Sequence, residues 1–250
     1  MKKTTLIKIL LRSFFIQTTL NFRRMQNLGF AMAIIPLVRE WNLSRKDSEK
    51  MLTRHLQLFN TNPYLSDSVI GSVVCLEEEE NGKSEDLNIS TIKQSMMGSY
   101  AAIGDIFFWG ALRPFASIIA VILSYMGLIF APVAFLLIYT PSHIWIRLKG
   151  FIEGYRGGKK GFEFIRSLDL PSVAVKIRWL ALVVLACSAV FLSETEGWPF
   201  IKTFDIIAKL TAIAFILFCL LLIKKGVSQV YIIYGAVILF FLISGGGLLV

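Results

Sequence analysis

Residues 106–146, "IFFWGALRPFASIIAVILSYMGLIFAPVAFLLIYTPSHIWI", decide the fold of this protein, because Arg113 is the one formal charge in the whole stretch. As a single helix the stretch would be roughly 60 Å long, about twice the hydrocarbon thickness of a bilayer. Gly127, Pro132 and Pro141 offer places where it can break. The sequence therefore predicts a broken helical hairpin in a membrane.

The rest of the composition agrees with a membrane protein. Of the 250 residues 55% are hydrophobic and 17% are charged, whereas soluble domains are roughly 45–50% apolar and about 25% charged. Three further charge-poor runs, at 179–193, 206–223 and 230–250, are candidate spans. We therefore predict an all-α integral membrane protein with three transmembrane helices after residue 178.

The basic residues indicate the orientation of the chain. The net charge is +9, and many of the bases lie in 147–178 and at Lys224 and Lys225, between hydrophobic runs. Cytoplasmic loops collect such residues, so this pattern favours a basic cytoplasmic segment over a nucleic-acid site. The segment Ser193–Phe204 carries more acid than base. We expect it outside, with the N-terminus in the cytoplasm and the C-terminus outside.

The first 105 residues are more polar and predict shorter helices. Apolar residues of 6–15 recur at helical spacing on one side, with Lys8 and Arg12 opposite, which is typical of an amphipathic helix at a membrane interface. Leu28–Val38 would span only about 16 Å and contains Pro36, expected to interrupt it. That length fits a partial insertion or a helix buried in protein. The predicted regions are 1–105 (amphipathic and partly inserted), 106–146 (hairpin), 147–178 (basic loop or helix) and 179–250 (transmembrane helices).

Two polar features stand out in the N-terminal region. In "FNTNPY" (59–64), Asn62 before Pro63 is a helix-start pattern, with Asn as the cap and Pro at the first helical position. Asn60 and Asn62 also offer amide groups that can bind a polar ligand, so capping and binding both stay open. Glu77 and Glu78 end an apolar run, where acid opposes the helix dipole. They either extend into solvent or serve a site.

Asp105 and Arg113 are the ionisable residues closest to the hairpin. An ionisable group at membrane depth indicates a functional site. The alternative is that the Arg113 side chain extends to the membrane–water interface, because Pro114 favours the start of a helix at this position. In an α-helix the two residues lie about 12 Å apart along the axis, too far for a direct ion pair. We expect both to face a polar cavity lined by protein, with Trp109 as an apolar wall between them.

Enzyme motifs are missing from the sequence. It contains no GxGxxG, Walker, HExxH or GxSxG pattern, and its two histidines, His55 and His143, are far apart. Cys75, Cys187 and Cys219 form no metal-binding or disulfide spacing. We therefore predict no catalytic residue, metal or cofactor in this chain, and polar groups in a membrane favour a transport pathway.

Four successive motifs resemble a known family. They are "LRSFFIQTTLNFRRMQNLGFAMAIIP" from Leu11, "RHLQLFNTNPY" from Arg54, "GSVVCLEEE" from Gly71 and "MMGSYAAIGDIFFWGALRP" from Met96. Their order and spacing are similar to the IID component of mannose/fructose/sorbose-type phosphotransferase systems, from about Leu11 to Gly161 and more weakly beyond.

The resemblance implies a function and a set of partners. It implies a bacterial, multi-pass subunit of the cytoplasmic membrane that forms a hetero-oligomer with IIC and moves a hexose. Cytoplasmic IIA and IIB would carry phosphate from phosphoenolpyruvate, so no phosphorylated residue is expected here. Candidates for the sugar path or the subunit interface are Asn21, Arg24, Gln26, Asn60, Asn62, Glu77, Glu78, Asp105, Trp109 and Arg113.

The chain also departs from the family's pattern. Arg23 stands where the family has an acid, Ser99 stands where it has a proline, and the loop at 193–205 is short. These departures keep an alternative open, a divergent scaffold or receptor subunit that pairs with IIC without transporting sugar.

Overall fold

The computed structural model describes residues 1–79, 86–194, 214–215, 218–219, 221–222 and 225–245. These residues form helices and isolated bridge pairs, and they contain no β-strand. The predicted all-α fold is therefore confirmed for this part of the chain. The α-helices are α1 (Lys3–Ser13), α2 (Asn27–Glu40), α3 (Arg45–His55), α4 (Ser66–Glu79), α5 (Asp86–Gly104), α6 (Arg113–Tyr125), α7 (Ala131–Gly157), α8 (Phe162–Ser167), α9 (Leu170–Glu194) and α10 (Gln229–Gly245). A π-helix, Asp105–Leu112, joins α5 to α6, and a 3₁₀ turn, Gly158–Lys160, follows α7.

The chain divides into two compact units, Met1–Ser188 and Ala189–Val250. The core of the first unit lies where α4 packs against α7 and is completed by α1, α2 and α5. In the second unit, α10 contains the short apolar helix Val230–Leu239. The predicted outer loop 193–204 and the predicted span 206–223 lie almost entirely outside the described residues.

Helix α1 is amphipathic, but its apolar residues are divided between two surroundings. It packs on α2 with the side that carries Ile9 and Ser13, both completely buried. Ile7, Leu11 and Phe15 are each more than half exposed. The single apolar side expected for residues 6–15 is therefore split, because contact with α2 selects a different side of the helix.

Helix α2 is a core helix, which agrees with one of the two alternatives for its length. Phe30, Ile34 and Leu37 are completely buried. The expectation that Pro36 interrupts this helix is wrong, since α2 continues to Glu40. Proline lacks the amide that would bind the carbonyl four residues earlier. Here the Arg12 guanidinium donates to that carbonyl, Met32 O, at 3.2 Å, so the acceptor is still satisfied.

Helix α7 joins parts of the sequence that we had placed in different regions. It continues through Pro141, where a break was expected, and across the boundary at 146/147. Arg147, grouped at first with the basic solvated segment, is only 5% exposed. Its guanidinium pairs with the buried Asp67 carboxylate and donates to Ser13 O at 2.8 Å. Arg147 therefore links α7 to α4 and α1.

The apolar hairpin has a turn at 126–130, where Gly127 adopts a φ of +75°. Residues 89–125 form a continuous helical run, so the expected boundary at 105/106 lies inside it. Among the described residues this run, Ile89–Tyr125, is the one stretch long and apolar enough to cross a membrane, and an 18-residue window within it has a mean hydropathy of 2.0. The number of membrane-crossing helices stays a prediction.

Large apolar side chains cover the outer surface of the hairpin and the following helix. The most exposed examples are Val121, Ile129, Leu137 and Trp179, at 67%, 96%, 69% and 66%. Exposed apolar surface on this scale is typical of a protein that contacts lipid or a large partner.

Candidate functional site

The loop "FNTNPY" packs directly against the start of the π-helix. Asn62 Oδ1 accepts a hydrogen bond from the Tyr64 amide at 3.1 Å, and Asn62 O accepts from the amides of Leu65 and Ser66 at 3.0 Å each. Helix α4 begins only at Ser66. Asn62 therefore closes the turn that leads into α4, rather than capping a helix whose first residue is Pro63.

The side chain of Asn62 also makes the contact that connects this loop to the hairpin. Asn62 Nδ2 donates to Asp105 Oδ1 at 2.9 Å. The contact requires Gly104, because a Cβ atom there would lie 2.3 Å from Asn62 Cβ. Asn62 is 2% exposed while Asp105 is exposed. Asn62 thus holds one oxygen of a carboxylate that still faces outward.

Asp105 contacts Asn62, whereas Arg113 contacts the ring of Trp109. Its guanidinium carbon lies 5.3 Å from the centre of the Trp109 ring, within cation–π distance. Trp109, expected as a bare apolar wall, is therefore partly covered by this cation. Arg113 itself is exposed. The two charges that the sequence singled out flank the π-helix, as its first residue and the residue after its last.

An aromatic cluster lies behind these charges, and sequence reasoning missed it. Its centre is Tyr64, whose ring lies 4.7 Å from Phe108, 5.6 Å from Trp109, 6.0 Å from Tyr139 and 4.6 Å from His143. The Tyr139 hydroxyl donates to that of Tyr64 at 3.0 Å. The spacing of Tyr139 and His143 along α7, one helical turn, is the signal that could have indicated this cluster.

Helix α9 adds a second cation to this surface. Arg178 donates to Ile106 O at 3.4 Å and lies beside the exposed Gly110.

A π-helix pairs each amide with the carbonyl five residues earlier instead of four, and π-helical turns occur frequently at functional sites. We define the patch as Asn62, Tyr64, Asp105, Trp109, Arg113, Tyr139, His143 and Arg178.

Comparison with known proteins now adds the family. The model of the IID component of the PTS mannose/fructose/sorbose family (EIID-AGA) matches residues 1–249. The chain belongs to this family. It is therefore a bacterial membrane protein.

Named relatives are similar over part of their length. The chain is 31% identical to the mannose-specific EIID component of Escherichia coli K12 over 163 residues, 34% to the sorbose-specific EIID component of Klebsiella pneumoniae over 155 residues, and 31% to the fructose permease IID component of Bacillus subtilis over 168 residues. These matches cover 64%, 61% and 66% of this chain. They span 56%, 57% and 60% of the relatives, so the chain matches little more than half of their length.

Solved structures are similar over nearly the whole chain. One, described as a membrane protein, has a TM-score of 0.74 and 25% identity, covering 98% of this chain and 96% of its own. Another is a cryo-EM structure of the mannose transporter ManYZ in complex with microcin E492 (MceA). It has a TM-score of 0.60 and 25% identity, and the match covers 100% of this chain and 98% of the chain in that structure.

Three polar candidates of this IID protein form a structural framework away from the patch. Asn21 accepts from the Arg24 amide at 2.8 Å, and Arg24 Nη1 donates to Leu56 O at 3.1 Å. The side chain of Gln26 exchanges two hydrogen bonds with the backbone of Thr61, at 2.8 and 3.1 Å. These contacts hold the turn 21–25 against the loop that leads to Asn62. Asn60, on the same loop, is exposed, and its amide lies 3.0 Å from Met97 Sδ.

Glu77 belongs to a second, buried polar cluster. Its carboxylate accepts from Arg54 Nη2 at 2.8 Å and lies 2.7 Å from His55 Nε2, and Glu77 and His55 are completely buried. Burial lowers the pKa of His55 to about 4, against the raising effect of its hydrogen bond to Glu77. His55 is thus neutral at pH 7, donating from Nε2, and Arg54 supplies the countercharge.

Glu78 contacts different residues from those that Glu77 contacts. Its carboxylate contacts the Tyr155 hydroxyl on α7 and the amino group of Met1. The two glutamates that end α4 therefore join different helices, and neither reaches the patch around the π-helix.

Proposed function

We propose that this chain is the IID subunit of a sugar permease that works with a IIC subunit in phosphoenolpyruvate-dependent group translocation. Family membership supports the role, and the relatives named above are mannose-, sorbose- and fructose-specific components. The observation that carries it is the contact between Asn62 and Asp105 beside Trp109 and Arg113.

The patch has the chemistry of a surface that works in an assembly. Amide and carboxylate groups bind hydroxyls, and aromatic rings pack against the apolar face of a sugar. Asp105 and Arg113 are exposed although they flank an apolar π-helix inside the run that is long enough to cross a membrane. Leaving an unpaired charge in lipid would cost several kcal/mol. We infer that the IIC subunit covers this patch and that the two chains form a polar cavity there.

The remaining partners follow from the same role. A IIB protein would dock on the cytoplasmic side of the membrane complex and receive phosphate from IIA, while the hexose passes through the membrane subunits. In this proposal no side chain of the IID subunit carries the phosphoryl group, and the chain crosses the cytoplasmic membrane several times.

Phosphoenolpyruvate-dependent uptake tests the proposal. The chain is co-expressed with a IIC protein of the same family, and vesicles loaded with phosphoenolpyruvate, the general phosphocarrier proteins, IIA and IIB are given labelled mannose, fructose or sorbose. Uptake that requires both membrane subunits supports the role. A pair that assembles and takes up no hexose contradicts transport.

Helix α5 offers an independent test of assembly. Small residues permit close helix approach in lipid, and a Cβ atom at Gly98 would meet nothing within 4 Å in this chain. Gly98→Leu should therefore release the IIC subunit without unfolding this one, as read by co-purification. Gly104 cannot serve this test, because its neighbour is Asn62 of the same chain. Retention of IIC by Gly98→Leu would exclude an interface at that residue.

A second candidate function is a scaffold or receptor subunit that pairs with IIC without moving sugar. Arg23, with the sign opposite to the family's usual residue, is exposed at the tip of the turn 21–25. The similar mannose transporter ManYZ has been solved in complex with microcin E492 (MceA), so that membrane complex also binds a molecule other than a sugar. A stable IIC complex that shows no uptake would favour this candidate.

A further inference from the structure

A cavity lies in the first unit, and none of the patch residues lines it. It has a volume of about 360 Å³, within the range of ligand pockets of roughly 300–1,000 Å³. Helix α5 forms one wall, and α8 with the start of α9 forms the other. The lining residues are Ser95, Met96, Ser99, Tyr100, Ile103, Phe162, Ile165, Arg166, Asp169 and Pro171.

The inner surface of this cavity is apolar. Met96, Tyr100 and Ile165 are buried beneath it, while Ile103 and Phe162 are partly exposed at its sides. The α5 wall belongs to Ile89–Tyr125, the stretch apolar enough to cross a membrane. An alkyl chain fits such a surface, whereas a sugar or a free phosphate would leave it uncovered.

The mouth of the cavity carries one charge of each sign. Arg166 and Asp169 are joined by a tight turn in which the Asp169 amide donates to Arg166 O at 3.2 Å and Asp169 adopts a φ of +43°. Both side chains are exposed. The ion pairs found among the described residues involve neither of them. A cation and an anion are thus held close together, each available to a ligand.

We propose that this cavity binds a zwitterionic phospholipid whose headgroup ends in a primary ammonium, such as phosphatidylethanolamine. Arg166 binds the phosphate, Asp169 accepts hydrogen bonds from the ammonium, and the first part of one acyl chain packs on Met96 and Ile165. An anionic lipid would leave Asp169 without a partner. A choline headgroup has no N–H group to donate to Asp169.

Native mass spectrometry of the full chain tests this assignment. Protein purified in mild detergent is mixed with vesicles of phosphatidylethanolamine, phosphatidylglycerol or phosphatidylcholine, and the lipid retained is counted. We expect about a tenfold preference for phosphatidylethanolamine over the other two. Asp169→Asn should remove that preference, whereas Arg166→Gln should lower retention of all three lipids.

Matched substitutions separate this site from surface charge in general. Glu163→Gln and Lys176→Gln remove exposed charges of the same signs outside the lining and should leave retention unchanged. Ser99→Phe, which fills the cavity, should reduce retention whatever the headgroup, and a thermal unfolding curve checks that each variant is folded. Equal retention of the three lipids by the parent protein would overturn the proposal. So would the same lipid profile in Asp169→Asn and Glu163→Gln.

Discussion

Two carboxylates of this protein, Glu77 and Asp105, are held in different ways. Glu77 is completely buried and receives hydrogen bonds from Arg54 and His55. Asp105 is exposed and is held by Asn62. Both lie in motifs shared with the family, so their presence in a motif does not distinguish them. The difference indicates that the first carboxylate joins helices α3 and α4, while the second remains available to a partner or a substrate.

Removing the buried carboxylate should have the largest effect. Glu77→Ala removes the buried carboxylate that pairs with Arg54, and breaking a buried ion pair costs roughly 3–5 kcal/mol of unfolding free energy. The midpoint of thermal unfolding in detergent measures the loss. Glu79→Ala, an exposed position on the same helix, is the control. An equal midpoint for both variants would show that the buried cluster contributes no stability.

A methyl group at Gly104 should have the next largest effect, because it acts on the contact that positions Asp105. Gly104→Ala places a Cβ atom 2.3 Å from Asn62 Cβ, and such overpacking typically costs about 1–3 kcal/mol. Gly98→Ala is the matched control, since space at that position is open. If the two variants unfold at the same temperature, the loop is free to move away from the π-helix.

Neutralising the exposed carboxylate should change transport rather than stability. Asp105→Asn can still accept from Asn62, so we expect folding and assembly with IIC to persist while sugar uptake falls about tenfold, the equivalent of one charge-assisted hydrogen bond. Arg113→Ala should reduce both assembly and uptake. Asp47→Asn, exposed on α3, is the control. Parental uptake in both patch variants would exclude the patch from the sugar path and the interface.

The effect expected to be smallest near neutral pH is a pH dependence of stability that belongs to the buried region. The pKa of His55 is lowered from its ordinary value of 6.5 to about 4 in the folded protein. Between these values the unfolded chain binds a proton that the folded chain does not, so stability should fall as the pH decreases from 6.5 to 4. His55→Gln should flatten this slope in thermal unfolding, whereas Lys50→Gln, an exposed position on the same helix, should leave it. An unchanged slope in His55→Gln would assign the pH dependence to other groups.

The parts of the fold that follow from local pattern could be predicted from sequence. The presence of a single formal charge, Arg113, in 106–146 and the position of Gly127 were sufficient to predict an apolar hairpin with a turn. The breaks expected at Pro36 and Pro141 were wrong. For Pro36 the reason is a contact distant in sequence, since Arg12 satisfies the carbonyl that the proline leaves free.

The candidate site was less accessible to sequence reasoning, because its members come from four separate segments of the chain. Asn62, Asp105, Trp109 and Arg113 were identified from their motifs, but only the packing of the loop on Gly104 shows which of them touch. Tyr139 and His143 lie in an apolar run without a distinctive motif. Glu77 was ambiguous because nothing local reveals that Arg54, 23 residues earlier, would neutralise it.

The π-helix has a consequence for insertions and deletions. A segment whose amides bind five residues back, as Arg113 N binds Phe108 O, holds more residues in each turn than an α-helix does. Deleting one residue there, for instance Gly110, would let the ladder close in the ordinary α-helical register. Because the wider turn already takes up the extra residue, α6 would keep roughly its direction relative to α5, whereas a deletion inside α6 itself would turn the residues beyond it by about 100°. The π-helix therefore lets this segment lose a residue while Arg113 keeps its orientation.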